Sequence, residues 1–138
     1  MNLVLYIKGK PKPQPRPRAV ARGGFARVYN PKTADDWKTA IKTGFKGKSI
    51  KANALAITLD FKMPRPKIHF NYRGELKTSA PRFHTKKPDV DNLAKAVLDA
   101  LVDVKVFSDD SIVTQLIVTK EYATEEAGCL IDIKTAYE

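Results

Sequence analysis

Apolar positions along the chain recur with two periods, and each period predicts an element. Residues 3–9, LVLYIKG, alternate well enough for a strand, with an apolar density that implies substantial burial. Residues 54–61, ALAITLDF, read as a second strand, stopped by Pro64 and Pro66. Residues 112–121 and 129–135 read as two more strands, with residues 123–128 as a hairpin between them. The helical period appears twice. In residues 31–47, Trp37, Ile41 and Phe45 recur every four residues, Thr33 is the candidate N-cap, and Asp35 and Asp36 open a first turn whose far end carries Lys42 and Lys46. Residues 91–102, DNLAKAVLDALV, put Leu93, Val97, Ala100 and Leu101 on one face, and Lys95 and Asp99 four apart on another. Residues 104–107 are a short strand or a turn. The order is β, α, β, α, β, β in one core, with no repeat and no internal boundary over residues 1–138.

Between these elements lie two irregular stretches. In KPKPQPRPRAVARGGFARVYNP, prolines 11, 13, 15 and 17 alternate with other residues and fix φ at every second position, which excludes helix. Residues 10–28 therefore read as an extended, backbone-solvated basic arm; a docking ligand of the polyproline type shares this conformation. Residues 62–87 are loop-rich, basic and interspersed with Phe70, Tyr72 and Phe83. Irregular segments of that length in compact domains are usually functional or disordered.

Charge changes the picture more than composition does. The net charge is +10, but residues 1–87 hold 21 Lys and Arg against four acids, whereas residues 88–138 hold four Lys against 11 acids. A positive field of this size on one half suits a polyanion, because each phosphate neutralised releases condensed counterions. Basic residues on the arms, Lys12, Arg16, Arg18, Arg22 and Arg27, with Lys86 and Lys87, are the candidate contacts to nucleic acid. The single cysteine, Cys129, closes no intrachain disulfide and reads as core; with no zinc-type spacing and no apolar run long enough to cross a membrane, a reducing cytoplasm is expected.

The acidic half concentrates its charge where chemistry is plausible. Asp89 and Asp91 stand at the start of the second helix, and Asp109 with Asp110 in a loop about one helix later. Carboxylates brought together from two such places make an oxygen site for a hard cation such as Mg²⁺, which is held by one or two carboxylates plus substrate phosphates. Each piece has a plainer reading: Asp89 or Asp91 as helix cap, Lys95 as an ion pair within its helix, Asp109 and Asp110 as turn residues, Asn92 as a capping residue.

At these residues, KPDVDNLAKAVLDAL followed by VFSDDSIV resembles the signature of the RusA family of Holliday junction resolvases, phage-associated and bacterial endodeoxyribonucleases. GKPKPQPRPR, RVYNP and the Trp-containing helix match that family's opening as well. The resemblance implies an α+β fold, a compact single domain with a mixed β-sheet packed by two main helices. It implies a homodimer that binds four-way DNA junctions and, with Mg²⁺ or Mn²⁺ and no small-molecule cofactor, cuts two strands symmetrically, in a bacterial or phage-infected cell. Carried over by position, the metal-holding carboxylates are Asp89, Asp91 and Asp110, the functional lysine is Lys95, and Asn92 and Asp109 are supporting. Residues 62–87 look longer than the family pattern, so no residue and no cleavage preference is carried over from them. A basic DNA-binding protein without catalysis, or an adaptor docked through its prolines, are the alternatives.

Overall fold

The structure is a computed structural model that describes residues 2–29 and 31–136. Four strands form one sheet: β1 (Asn2–Lys8), β4 (Leu55–Met63), β5 (Val113–Tyr122) and β6 (Gly128–Thr135), in the order β1-β6-β4-β5. β1 and β4 each run antiparallel to β6, while β5 runs parallel to β4, so the sheet is mixed. Two helices, α1 (Asp35–Phe45) and α2 (Val90–Asp103), complete an α+β unit.

The alternation within strands decides which face the helices cover. Ile57, Leu59, Phe61 and Met63 of β4 point inward with Ile131 and Ile133 of β6, and meet Trp37, Ile41 and Phe45 of α1 and Leu93, Val97 and Leu101 of α2 in one buried cluster. Both predicted helical stripes are therefore core. Lys38 pairs with Asp99 at 2.7 Å and Lys42 with Asp103 at 3.2 Å; the matched four-residue steps set the helices side by side, running the same way. Gly44 lets α1 close on β1, since a Cβ there would lie 2.5 Å from Ile7 Cδ1. The other sheet face is mixed, with exposed Val4, Tyr6, Ile117 and Leu130, and there Lys62 and Arg82 both pair with Glu121 and hold its carboxyl below its ordinary value. Cys129 is buried, which pushes its thiol well up.

Four expectations are corrected. Residues 123–127 are no hairpin, because β4 lies between β5 and β6. The reason is the connection through α2: strands joined by a helical crossover run parallel and pair, which places β5 on β4 and sends the next strand to β4's other side. Thr33 does not cap α1; Ala34 holds that position, with no side-chain cap. Lys95 does not pair with Asp99, whose carboxylate is taken by Lys38.

The fourth correction concerns the arm. It is not extended throughout: β2 (Arg18–Arg22) and β3 (Phe25–Tyr29) form a two-stranded hairpin turned at Gly23 and Gly24, both at positive φ. Nor is its start solvated, because Pro11 is buried and the Gln14 N–H donates to the Asn92 carbonyl at 3.0 Å. Residues 104–107 form a turn, with Lys105 at φ 61°. Among the described residues no helix is long and apolar enough to cross a membrane.

Candidate active site

The α2 entry is built so that its carboxylates stay unused. Asp89 holds the N-cap position with extended backbone (φ −74°, ψ 153°), and its carbonyl accepts from the Leu93 N–H at 3.1 Å, but its side chain makes no capping bond. A capping aspartate accepts from the backbone N–H two or three residues on. The plainer reading of Asp89 therefore lacks its bond. Asp91 follows in the first turn, and Lys95, one turn later, lies on the same face; both are exposed. With Asp99 engaged by α1, Lys95 has no ion pair among the described residues.

Asp110 arrives from the other side. After α2 the chain turns back through a 3₁₀ turn, Asp110–Ile112, that leads directly into β5. β5 is the sheet edge, and α2 leaves its inward residues Leu116 and Val118 partly open. The result is a cavity of about 420 Å³ with Asp91, Lys95 and Asp110 on its walls and Val90, Ala94, Leu98, Leu116 and Val118 as its apolar lining. Asp89 is not on those walls. Among the described residues, no three His, Cys, Asp or Glu side chains lie together as a preformed metal cluster.

Asp109 adjoins this cavity and tunes it. Its carboxylate accepts from the Ser111 N–H at 3.4 Å. The neighbouring Asp110 carboxyl and the Ser111 N–H hold Asp109 below its ordinary value, while the Asp109 carboxyl and slight desolvation raise Asp110 and Lys95 opposes that rise. The donor set, two carboxylates facing one opening with a third at the helix entry, fits a hard divalent cation that takes its remaining ligands from water and phosphate.

Lys120 holds the entry in place. It occupies an inward position on β5, in step with Leu116, Val118 and Tyr122, and its ammonium donates to the carbonyls of Lys86 at 2.7 Å and Pro88 at 2.8 Å. Residues 86–88 are thereby tied to the strand that forms the cavity floor. Lys120→Met, which keeps the stem and removes the donors, is expected to cost about 1–3 kcal/mol, read as a lowered urea midpoint with unchanged slope. The signal was present in the sequence as a lysine in the apolar phase of a strand.

Basic grooves flank the cavity. One, of about 620 Å³, includes Arg16, Lys32, Lys38, Asn92 and Lys95; Lys95 thus lines both spaces. Another, of about 480 Å³, takes Lys10, Lys12, Thr33, His84 and Lys87. Burial, then the nearby Lys120, lowers the His84 pKa. Of the expected nucleic-acid contacts, Lys12, Arg16 and Lys87 line these grooves, Lys86 adjoins them, and Arg27 is exposed on the hairpin. Arg18 and Arg22 lie on β2, their side chains outside the described set. Lys10, Lys32 and Lys38 were not singled out by their spacing. The model of the family described as Endodeoxyribonuclease RusA matches residues 8–134. No curated protein matches the chain.

Proposed function

Since the chain belongs to the RusA family of endodeoxyribonucleases, we propose that it resolves four-way DNA junctions by paired, symmetric, metal-dependent nicks, working as a homodimer. The observation that carries this reading is the meeting of Asp91, Lys95 and Asp110 in one cavity between basic grooves. Anionic backbone is drawn toward the grooves, and the site it borders carries the opposite sign, which a cation reverses.

Asp91 and Asp110 are the residues that would hold the ion, with Asp89, at the helix entry but off the cavity walls, as a further carboxylate. When bound, Mg²⁺, or Mn²⁺ in its place, supplies Lewis-acid activation of water and neutralises charge at the phosphate. The chain's own groups do the rest. Lys95, unpaired within its helix, orients the scissile phosphate and steadies the charge that develops on it. Asn92 supports the site by anchoring the arm through its backbone carbonyl, and Asp109 by its negative charge beside Asp110. A junction is close to two-fold symmetric, so a symmetric pair of chains presents two sites to two opposed strands.

Lys95→Ala is expected to lower the single-turnover cleavage rate roughly 10²-fold, the scale of losing one charge-stabilising donor. Lys95→Arg should recover part of it. Quantified nicking of an end-labelled junction reads both. The reading as a whole is tested by incubating the chain with a synthetic four-way junction and a linear duplex, with Mg²⁺ or with chelator. Paired nicks only in the junction and only with Mg²⁺ are the expected result. Tight junction binding without cutting at any Mg²⁺ or Mn²⁺ concentration would instead identify a DNA-binding protein whose acids do no chemistry.

A further inference from the structure

Residues 64–87 carry seven Lys and Arg against one acid, Glu75, and they are firmly anchored. Arg65 donates to the carbonyls of Pro81 at 2.8 Å and Ala123 at 3.3 Å, the His69 ring meets Tyr122 edge-on with centroids 4.7 Å apart, and Phe83 bridges to Glu121 of β5. At the far end a tight turn is fixed by its own bonds. Asn71 Oδ1 accepts from the N–H groups of Arg73 and Glu75, the Asn71 N–H donates to the Glu75 carbonyl at 2.8 Å, and Gly74 takes a φ of 77°. Bridging of Phe70 to Leu76 closes its base.

That turn leaves Tyr72 90% exposed at its tip. The guanidinium of Arg73 lies over the ring, 5.3 Å from its centroid, and donates to the phenol oxygen at 3.0 Å, so a cation sits beside the ring while most of the ring stays open to solvent. Elsewhere on the same segment, Ile68 and Phe83 are also largely exposed. Apolar and aromatic surface left in water on a rigid frame of positive charge is what a nucleic-acid base with its phosphate requires: stacking on the ring, neutralisation beside it. The same piece of backbone continues through residues 86–88, tied by Lys120, into Asp89 and α2. The turn and the active site therefore share one frame.

We propose that Tyr72 is a stacking platform for an unpaired base of branched DNA. The inference rests on the junction reading above and deepens it, by naming a base freed where the branch point opens, which a plain duplex does not present. Stacking does not select a sequence, because every base has a π-face, so the platform would favour structure over sequence.

Fluorescence anisotropy of the full chain in chelator, where no strand is cut, tests this with three probes: an oligothymidine single strand, a four-way junction and a linear duplex. Tyr72→Ala is expected to weaken binding to the single strand and the junction roughly tenfold, as loss of one stacked base does, and to leave duplex binding within about twofold. Tyr72→Trp should restore both. Equal loss on all three probes, or no loss on the single strand, overturns the platform. A junction preference over duplex that survives Tyr72→Ala undiminished also overturns it while leaving the junction reading intact. No junction preference in the unsubstituted chain, with Tyr72 still required for the single strand, upholds the platform and removes the junction reading.

Discussion

Asp91→Asn is expected to reduce junction cleavage roughly 10³-fold or more, equivalent to about 4 kcal/mol of lost transition-state stabilisation, while junction affinity stays within a few-fold. The substitution keeps the shape of the side chain and removes its charge. Asp91 is exposed in the first turn of α2. The folding cost is therefore limited to a helix-dipole interaction of about 0.3–1 kcal/mol. A loss of cleavage would then report on chemistry and not on stability. Binding should be spared because the grooves proposed to take the backbone are lined by other residues, Arg16, Lys32 and Lys87 among them. Asp99→Asn is the matched control: that carboxylate serves Lys38, so cleavage should change little. Single-turnover cleavage alongside anisotropy separates the two effects, and full cleavage by Asp91→Asn would remove this residue from the mechanism.

Leu93→Ala should give a large stability loss, about 3 kcal/mol, with a fall in Tm of roughly 10 °C. Leu93 is fully buried one turn above the helix entry, in the cluster that joins α2 to the sheet. Truncation removes its transfer free energy and leaves a cavity that neighbours on three elements cannot all close. Urea unfolding measures the loss directly. A cost below about 1 kcal/mol would mean that this face of α2 is not packed as described. The consequence for function is graded: Asp91 and Lys95 ride on the same helix, so a loosened α2 should also depress cleavage, but addition of junction, which binds the folded form alone, should recover part of the lost Tm.

Both helices were legible because a 3.6-residue apolar period has few alternatives, and the strands because their inward residues alternate. What the local pattern does not carry is neighbour order. Residues 112–121 and 129–135 look like a hairpin until the helical crossover is taken into account, which pairs β5 with β4 and leaves a short connection to step across it. In the arm, four prolines masked a Gly23-Gly24 turn that is itself a strong hairpin signal. The site was legible as two acidic pairs, yet spacing alone could not separate a ligand from a cap. The structure adds that Asp89 makes no cap bond and that Asp91 and Asp110 line one cavity. Lys95 and Asp99 satisfy the i,i+4 rule in sequence, but a lysine from α1 competes for the same carboxylate and wins, which no single-helix argument can anticipate.

The central claim, that Asp91 and Asp110 share a divalent cation at the place of cleavage, is tested most directly by anomalous scattering from Mn²⁺ in crystals of the chain bound to an uncleavable four-way junction. The account predicts a peak within about 2.5 Å of carboxylate oxygens from both residues, with a phosphate oxygen completing its shell. An anomalous map with no peak there, or with Mn²⁺ held only by residues outside the cavity, would contradict it.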